Sequence, residues 1–308
     1  MATGLAIMYH YVREQDEKRP HKGIFGLGID SFKKQIEAIS TKFTFCTVNE
    51  FSRMTKTDNK RYCMLTFDDG LKDHHEVFVY LKEKGIRATF FPITSTFDES
   101  KVINSHKMHL LLEKTNAYEL GNSLNAFLEN KHPELFQQFH VHDKYKRWNK
   151  QFGNIFTINF KFAIASLPQQ ISKKFLDDQF STYYDSEEKV SKEFYLSEAQ
   201  IKQMHDDGME IGCHTHNHNN LKIQSSIQQQ NEIERSKNIL EGIIKDPVTS
   251  ISYPYGQFSP ETIQLAKQNN ITSGVTTIQQ INHSNTDKMT FGRIDIAYFE
   301  EKILEHIK

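Results

Sequence analysis

A repeating rhythm constrains this chain more than any other feature. Short apolar runs alternate with amphipathic helical patterns in two separate stretches of the sequence. Residues 5–9 read as a strand. Asp30 then caps a helix whose Phe32, Ile36 and Ile39 share one face, and residues 43–47 form the next apolar run. Residues 63–67 are a third strand, followed by a helix through Val77, Leu81 and Gly85 and a strand at 88–93. Strands that alternate with helices in this way are parallel, and they build a barrel or a doubly wound sheet.

The rhythm breaks from about residue 97 to residue 194, a stretch rich in Lys, Asn, Gln, Glu and aromatics. Helical spacing continues there at 106–113, 117–129 and 164–177, without strand signals. The segment reads as a mainly helical insertion in one domain spanning residues 1–308. Whether it walls a site or merely extends the scaffold is open. The rhythm resumes at Ser197, which pairs with Gln200 in a capping-box pattern ahead of Ile201 and Met204. Gly208 ends that helix and residues 210–213 form a strand. A long helix carrying Ile233, Leu240 and Ile244 follows, then a strand at 248–252 and a helix opened by Ser259 and Pro260. Residues 275–277 and 294–297 are the last strand candidates.

Four strands of the pattern end in polar residues. His10 follows the first run, Asp68-Asp69-Gly70 the third, His214-Thr215-His216-Asn217-His218 the run at 210–213, and Tyr253-Pro254-Tyr255-Gly256 the run at 248–252. Parallel strands linked by helices bring all their C-terminal ends to one face, so these distant clusters converge. His214 and His218 are four apart and share a side if the segment turns helically. Two imidazoles with one carboxylate suit Zn2+ and leave a coordination position open for water, the catalytic arrangement. Of two adjacent carboxylates, one can bind the ion and the other can take a proton from that water. The same ligands accept Co2+ or Ni2+, so one divalent metal is expected, with Zn2+ preferred.

Bulk properties exclude several classes. Thirty-eight Lys and Arg balance 39 Asp and Glu, which gives no electrostatic reason for a nucleic-acid or anionic-membrane partner. Cys46, Cys63 and Cys213 lie in apolar runs and read as buried thiols of a reducing compartment. No apolar run approaches the roughly 20 residues that span a bilayer. The N-terminus lacks the basic leader and apolar core of a signal peptide, so a cytoplasmic protein with no integral membrane segment is expected.

Thr66-Phe67-Asp68-Asp69-Gly70, His214-Thr215-His216-Asn217-His218 and Tyr253-Pro254-Tyr255-Gly256 together resemble the polysaccharide deacetylase family, the NodB-homology group of carbohydrate esterase family 4. The resemblance covers the chain outside the insertion. It implies a distorted (β/α) barrel, Asp68 as general base and Asp69, His214 and His218 as metal ligands. It also implies the Tyr255 backbone N–H as an oxyanion donor, with Pro254 and Thr215 beside it at the substrate. Two features depart from the family pattern. Ile251, Ser252 and Tyr253 occupy the stretch that usually carries an Arg bracing the catalytic Asp, and no late motif supplies a catalytic His, since His283 and His306 lack its context. Both departures resemble the branch acting on poly-N-acetylglucosamine, in which the motifs are permuted and an N-terminal Tyr-His-x-Val supplies the acid. Tyr9-His10-Tyr11-Val12 matches that pattern, which assigns His10 as general acid. Arg293, in Gly292-Arg293-Ile294-Asp295, is a candidate for the missing brace or an ordinary partner of a core carboxylate.

The expected reaction is hydrolysis of the acetamide of an N-acetylated sugar or glycan. Two alternatives stay open: a sugar O-acetyl esterase or deformylase with the same centre, and an inactive glycan-binding protein, suggested by the missing brace. Further groups look ligand-like but follow no core strand. His106 with His109, and His140 with His142 and Asp143, read as solvated or packing residues. Phe152, Phe156, Phe160 and Phe162 read as insertion core, and Trp148 as a residue that could line a sugar subsite.

Overall fold

The computed structural model describes residues 2–14, 16, 19–55, 60–142 and 155–307; Asp143, Trp148 and Phe152 lie outside these. The described residues form two compact units, one lying within 1–15, 26–101 and 191–308, the other within 16–25 and 102–190.

The first unit carries nine strands: β1 (Thr3–Tyr9), β2 (Thr44–Cys46), β3 (Arg61–Asp69), β4 (Thr89–Pro92), β5 (Glu210–Ile211), β6 (Ser250–Ser252), β7 (Ser273–Val275), β8 (Asn282–His283) and β9 (Ile294–Asp295). β1 and β3 pair in parallel along the whole of β1, from Thr3↔Arg61 to Tyr9↔Phe67. The other edge of β3 serves two short parallel strands, β2 opposite Tyr62–Met64 and β4 opposite Thr66–Asp69. β5 continues from β4, and β6 pairs with β7, all in parallel. Parallel bridges Cys213↔Ile251 and Val275↔Phe291 join these pieces, and β9 returns to β1 at Ile7↔Ile294. The circuit of parallel strands therefore closes into a distorted (β/α) barrel. β8, absent from the sequence pattern, pairs antiparallel with the start of β1; two residues carry too little alternation to be read.

Register and alternation set what each face of the barrel shows. Tyr9, Phe67 and Phe90 are register partners on β1, β3 and β4, and their rings stack at 5.0 and 4.7 Å. Phe32, from the helix Ile29–Ser40, meets Tyr9 edge-on at 5.3 Å, so this stack lies beneath the helices. Thr66 and Asp68, one residue either side of Phe67, point the other way, into the barrel. Ser197 and Gln200 form the expected capping box, as does Ser259 ahead of Pro260. Gly28 rather than Asp30 is the N-cap of Ile29–Ser40, with Asp30 in the first turn, where a carboxylate favours the helix dipole.

The second unit is helical: Asn104–Lys114, Ala117–Lys131, Pro133–Phe139, Ile155–Ser166 and Gln169–Tyr183. Leu111, Leu120, Leu124, Leu128, Phe160, Phe175 and Leu176 form its core. The helix expected at 164–177 is two helices, because Pro168 cannot donate a backbone hydrogen bond and becomes the N-cap of the second. Lys107 is buried and carries its charge to Asp177 at 2.6 Å and Glu187 at 2.9 Å. No helix among the described residues is long and apolar enough to cross a membrane.

Candidate active site

The two adjacent carboxylates at the end of β3 have opposite surroundings. Asp68 points into the barrel and receives Arg293 bidentately, Nη1 to Oδ1 at 2.8 Å and Nη2 to Oδ2 at 2.7 Å. Ser252 Oγ donates to Asp68 Oδ2 at 3.1 Å. Arg293 is 1% exposed and spends its remaining donors on Thr66 Oγ1, Ser252 Oγ and the Thr276 carbonyl. Burial by itself would raise the Asp68 carboxyl, but the Arg293 guanidinium, with help from His214, brings it down to about 2. Of the two roles open to Arg293, the structure gives the partner: it is Asp68.

Asp69 leaves the strand pattern. It adopts φ +75°, followed by Gly70 at +67°. Only glycine suits the second position, since a Cβ there would meet the Pro92 Cβ at 2.8 Å. Asp69 Oδ1 lies 3.4 Å from His214 Nε2 and 3.6 Å from His218 Nε2. The two imidazole rings are 4.8 Å apart, and the Tyr255 ring lies 4.7 Å from that of His218. His214 Nδ1 bonds the Ser252 carbonyl at 2.7 Å, which leaves Nε2 to face Asp69. Burial disfavours the His214 imidazolium, yet the Asp68 and Asp69 carboxylates outweigh it and raise its pKa.

This donor set fits a divalent cation. One atom each from Asp69, His214 and His218 lies within 4.8 Å of the others. Two ligands on tetrahedral Zn2+ with bonds of about 2.1 Å stand about 3.4 Å apart, close to the two carboxylate–imidazole separations. Arg293 already balances Asp68, whereas Asp69 faces groups that carry positive charge only when protonated. A second group, Asp98, Glu99 and His216, has comparable spacing. Its demand for a cation is already met by Arg235, at 3.1 Å from Asp98 and 2.6 Å from Glu99, and by Lys101 on Glu99.

The segment between the histidines does not turn helically. Thr215 and His218 both have left-handed φ, 63° and 57°. His214 and His218 converge through this irregular loop, while His216 turns away to Thr94 and Glu99. Thr215 is fully buried, and its hydroxyl accepts from His218 N at 3.0 Å. Pro254 is buried too, in a short turn Pro254–Gly256 that leaves Tyr255 half exposed at φ +58°.

His10 follows β1. Its carbonyl accepts from His74 Nε2 at 2.6 Å, and it lies within electrostatic reach of both Asp68 and His74. His74 is fully buried, and burial lowers its pKa to about 4, so it is the neutral ring that donates this bond. The hydroxyl of the neighbouring Tyr11 is pushed up by burial and then by the Asp69 charge, which sets it beside the same cluster. Sequence reasoning gave no role to Ser252, His74, Tyr11 or Thr66, although Tyr11 and Thr66 stand inside the quoted motifs. Ser252 had a signal of its own, as the last residue of a strand that ends at the same rim as Asp68.

The family model for polysaccharide deacetylases matches residues 55–125 and 172–274, more than half of the chain. YxkH of Bacillus subtilis (strain 168), a polysaccharide deacetylase by name, is 34% identical over 88 residues. That match spans 29% of this chain and 32%, about a third, of the length of the curated relative. Among solved structures, the Streptococcus pyogenes deacetylase PplD in complex with acetate aligns with a TM-score of 0.59 at 18% identity, covering 99% of this chain and 98% of that one. IcaB from Ammonifex degensii aligns with a TM-score of 0.59 at 14% identity, covering 99% and 97%. A polysaccharide deacetylase from Bacillus cereus gives 0.58 at 17%, covering 99% of this chain and 69% of its own. These structures share the fold. The matched stretches contain Asp68, Asp69, His214, His218 and Ser252, while His10 and Arg293 lie outside them, and on that match the chain belongs to the polysaccharide deacetylase family.

Proposed function

We propose that this chain is a metal-dependent N-deacetylase that hydrolyses the acetamide of an N-acetylated sugar in surface-polysaccharide or glycoconjugate metabolism. The observation that carries the reading is the division between neighbours: Asp68 clamped by Arg293 inside the barrel, Asp69 turned to two imidazoles at its rim. Asp69, His214 and His218 would hold the ion, Zn2+ by preference. When bound, a divalent ion polarises the acetamide carbonyl and acidifies a nearby water.

The chain's own groups do the rest. Asp68, ionised at any physiological pH, accepts the proton of the attacking water. The Arg293 fork and Ser252 hold its carboxylate in one orientation. As the C–O bond forms, the Tyr255 N–H donates to the developing oxyanion, a kind of contact worth roughly 3 kcal/mol in hydrolases. The C–N bond then breaks as protonated His10 gives its proton to the departing amine. The products are acetate and a free amino sugar.

Zinc-loaded protein offered N-acetylglucosamine oligomers, and lipid- or nucleotide-linked acetamido sugars, should release acetate. Chelation should stop the release and added zinc restore it. Turnover of acetate esters or formamides alone would transfer the centre to another bond. Absence of release from every acetamide, with zinc bound, would reject the reading. The Arg293–Asp68 pair favours an enzyme over a binding-only protein, because it supplies the brace whose absence from the third motif suggested inactivity.

A further inference from the structure

One residue takes a cluster of hydrogen bonds from the loop that carries both imidazoles. Glu232 lies on the helix Ser226–Ile244 and is 7% exposed. Its Oε2 accepts from Asn217 N at 2.7 Å, and its Oε1 from Asn217 Nδ2 at 2.8 Å and Asn219 Nδ2 at 2.9 Å. Its own backbone carbonyl accepts from His216 N at 3.1 Å. One residue thus takes four hydrogen bonds from His216, Asn217 and Asn219, around and between the two candidate ligands.

The local backbone needs such a hold. Thr215 and His218 sit in the left-handed region, which L side chains avoid, so the loop lacks the regular hydrogen bonds of a helix and carries strain. A buried carboxylate also demands compensation, and here it comes from a backbone N–H and two carboxamides, all donors of the loop. The demand of the charge and the strain of the loop are met by the same bonds. His218 N closes the turn onto Thr215 Oγ1, so the register set at Asn217 passes directly to the His218 ring.

We infer that Glu232 is a positioning residue for the metal centre: it preorganises His214 and His218 for one cation without touching the ion. The inference rests on the metal-dependent reading above. Partners that orient metal ligands in this indirect way typically change affinity by about 10–100-fold when removed.

The test is zinc affinity of the full chain, measured by competition with a chromogenic chelator, alongside the thermal midpoint of the metal-free protein. Glu232→Ala should weaken zinc binding at least about tenfold. Asn219→Ala, which removes one of the bonds and keeps the buried carboxylate, should weaken it by a smaller factor and covers the case in which the first variant does not fold. Glu210→Gln, at the start of β5 and without a bond to the histidine loop, is the control and should bind zinc as the unaltered chain does. A purely structural role would lower the midpoint of the metal-free Glu232→Ala and Asn219→Ala proteins while leaving zinc affinity unchanged, and that result overturns the inference alone. Failure of the unaltered protein to bind zinc removes the metal reading and this inference with it.

Discussion

The short strands β4, β5 and β6 meet a carboxylate near each of their ends, and the protein treats the two in opposite ways. At the C-terminal rim, Asp68 meets a guanidinium and is drawn down to about 2. At the other end, Glu210 opens β5 and accepts from Asn49 N, Thr89 Oγ1 and Ser250 Oγ, all neutral groups. Burial raises its pKa, and the hydrogen bonds only moderate the rise. At Glu210 the neutral donors do not cancel the effect of burial, whereas at Asp68 the guanidinium more than offsets it. The end proposed to do acid–base work is the one given the cation.

The largest effect expected from breaking this contrast is catalytic. Asp68→Asn should reduce turnover by about 10²–10⁴-fold while zinc content stays full, and Asp69→Ala should lose zinc altogether. Acetate release and metal analysis on the same samples separate the two, and loss of zinc from Asp68→Asn would erase the division of labour.

Arg293→Ala leaves Asp68 buried without its partner and should destabilise the fold by about 3–5 kcal/mol in urea titrations. The pH dependence adds a sign. Asp68 lies below its ordinary value of 3.8, so its contribution is present above that value and is lost as pH falls towards 2. In Arg293→Ala that acid loss should vanish, since burial alone pushes the carboxyl upward. A variant that keeps the wild-type acid limb would show that the pair does not set it.

His74→Phe keeps an aromatic ring but strips the donor from the His10 carbonyl. It should cost about 1–3 kcal/mol of stability and lower turnover, with zinc affinity unchanged. Turnover equal to wild type would detach His10 from its support.

The smallest effect belongs to the other end. Glu210 lies above its ordinary value of 4.5, so stability falls as pH rises from there through its value in the folded protein. Glu210→Gln should flatten that fall, with a stability difference of about 1 kcal/mol or less at neutral pH. Urea midpoints that still decline with pH would mean other groups carry the trend.

Much of this architecture could be read from the residues because strand ends announce themselves. A run such as 63–67 is apolar and Asp68-Asp69-Gly70 is not, so the point where β3 meets the rim is visible without any partner. Capping at Ser197 and Ser259 is equally local, since a hydroxyl and an N–H three residues on form the motif by themselves. The His214–His218 spacing picked two residues that do converge on Asp69, but for a reason that does not hold, since the loop is irregular and a spacing of four has no helical meaning there. The role of Arg293 was undecided because an arginine in a chain with 39 carboxylates has many possible partners.

What the amino-acid order determined alone was the succession of strands and helices and which polar residues follow each strand, because period and capping depend on neighbours a few residues apart. Tertiary structure decided the partnerships: Arg293 with Asp68, 225 residues away, Ser252 with the same carboxylate, and Glu232 behind the histidine loop. Those choices follow from closing the barrel, which sets the facing side chains of distant strands at hydrogen-bond distance, and no local pattern encodes which strand will lie across from which.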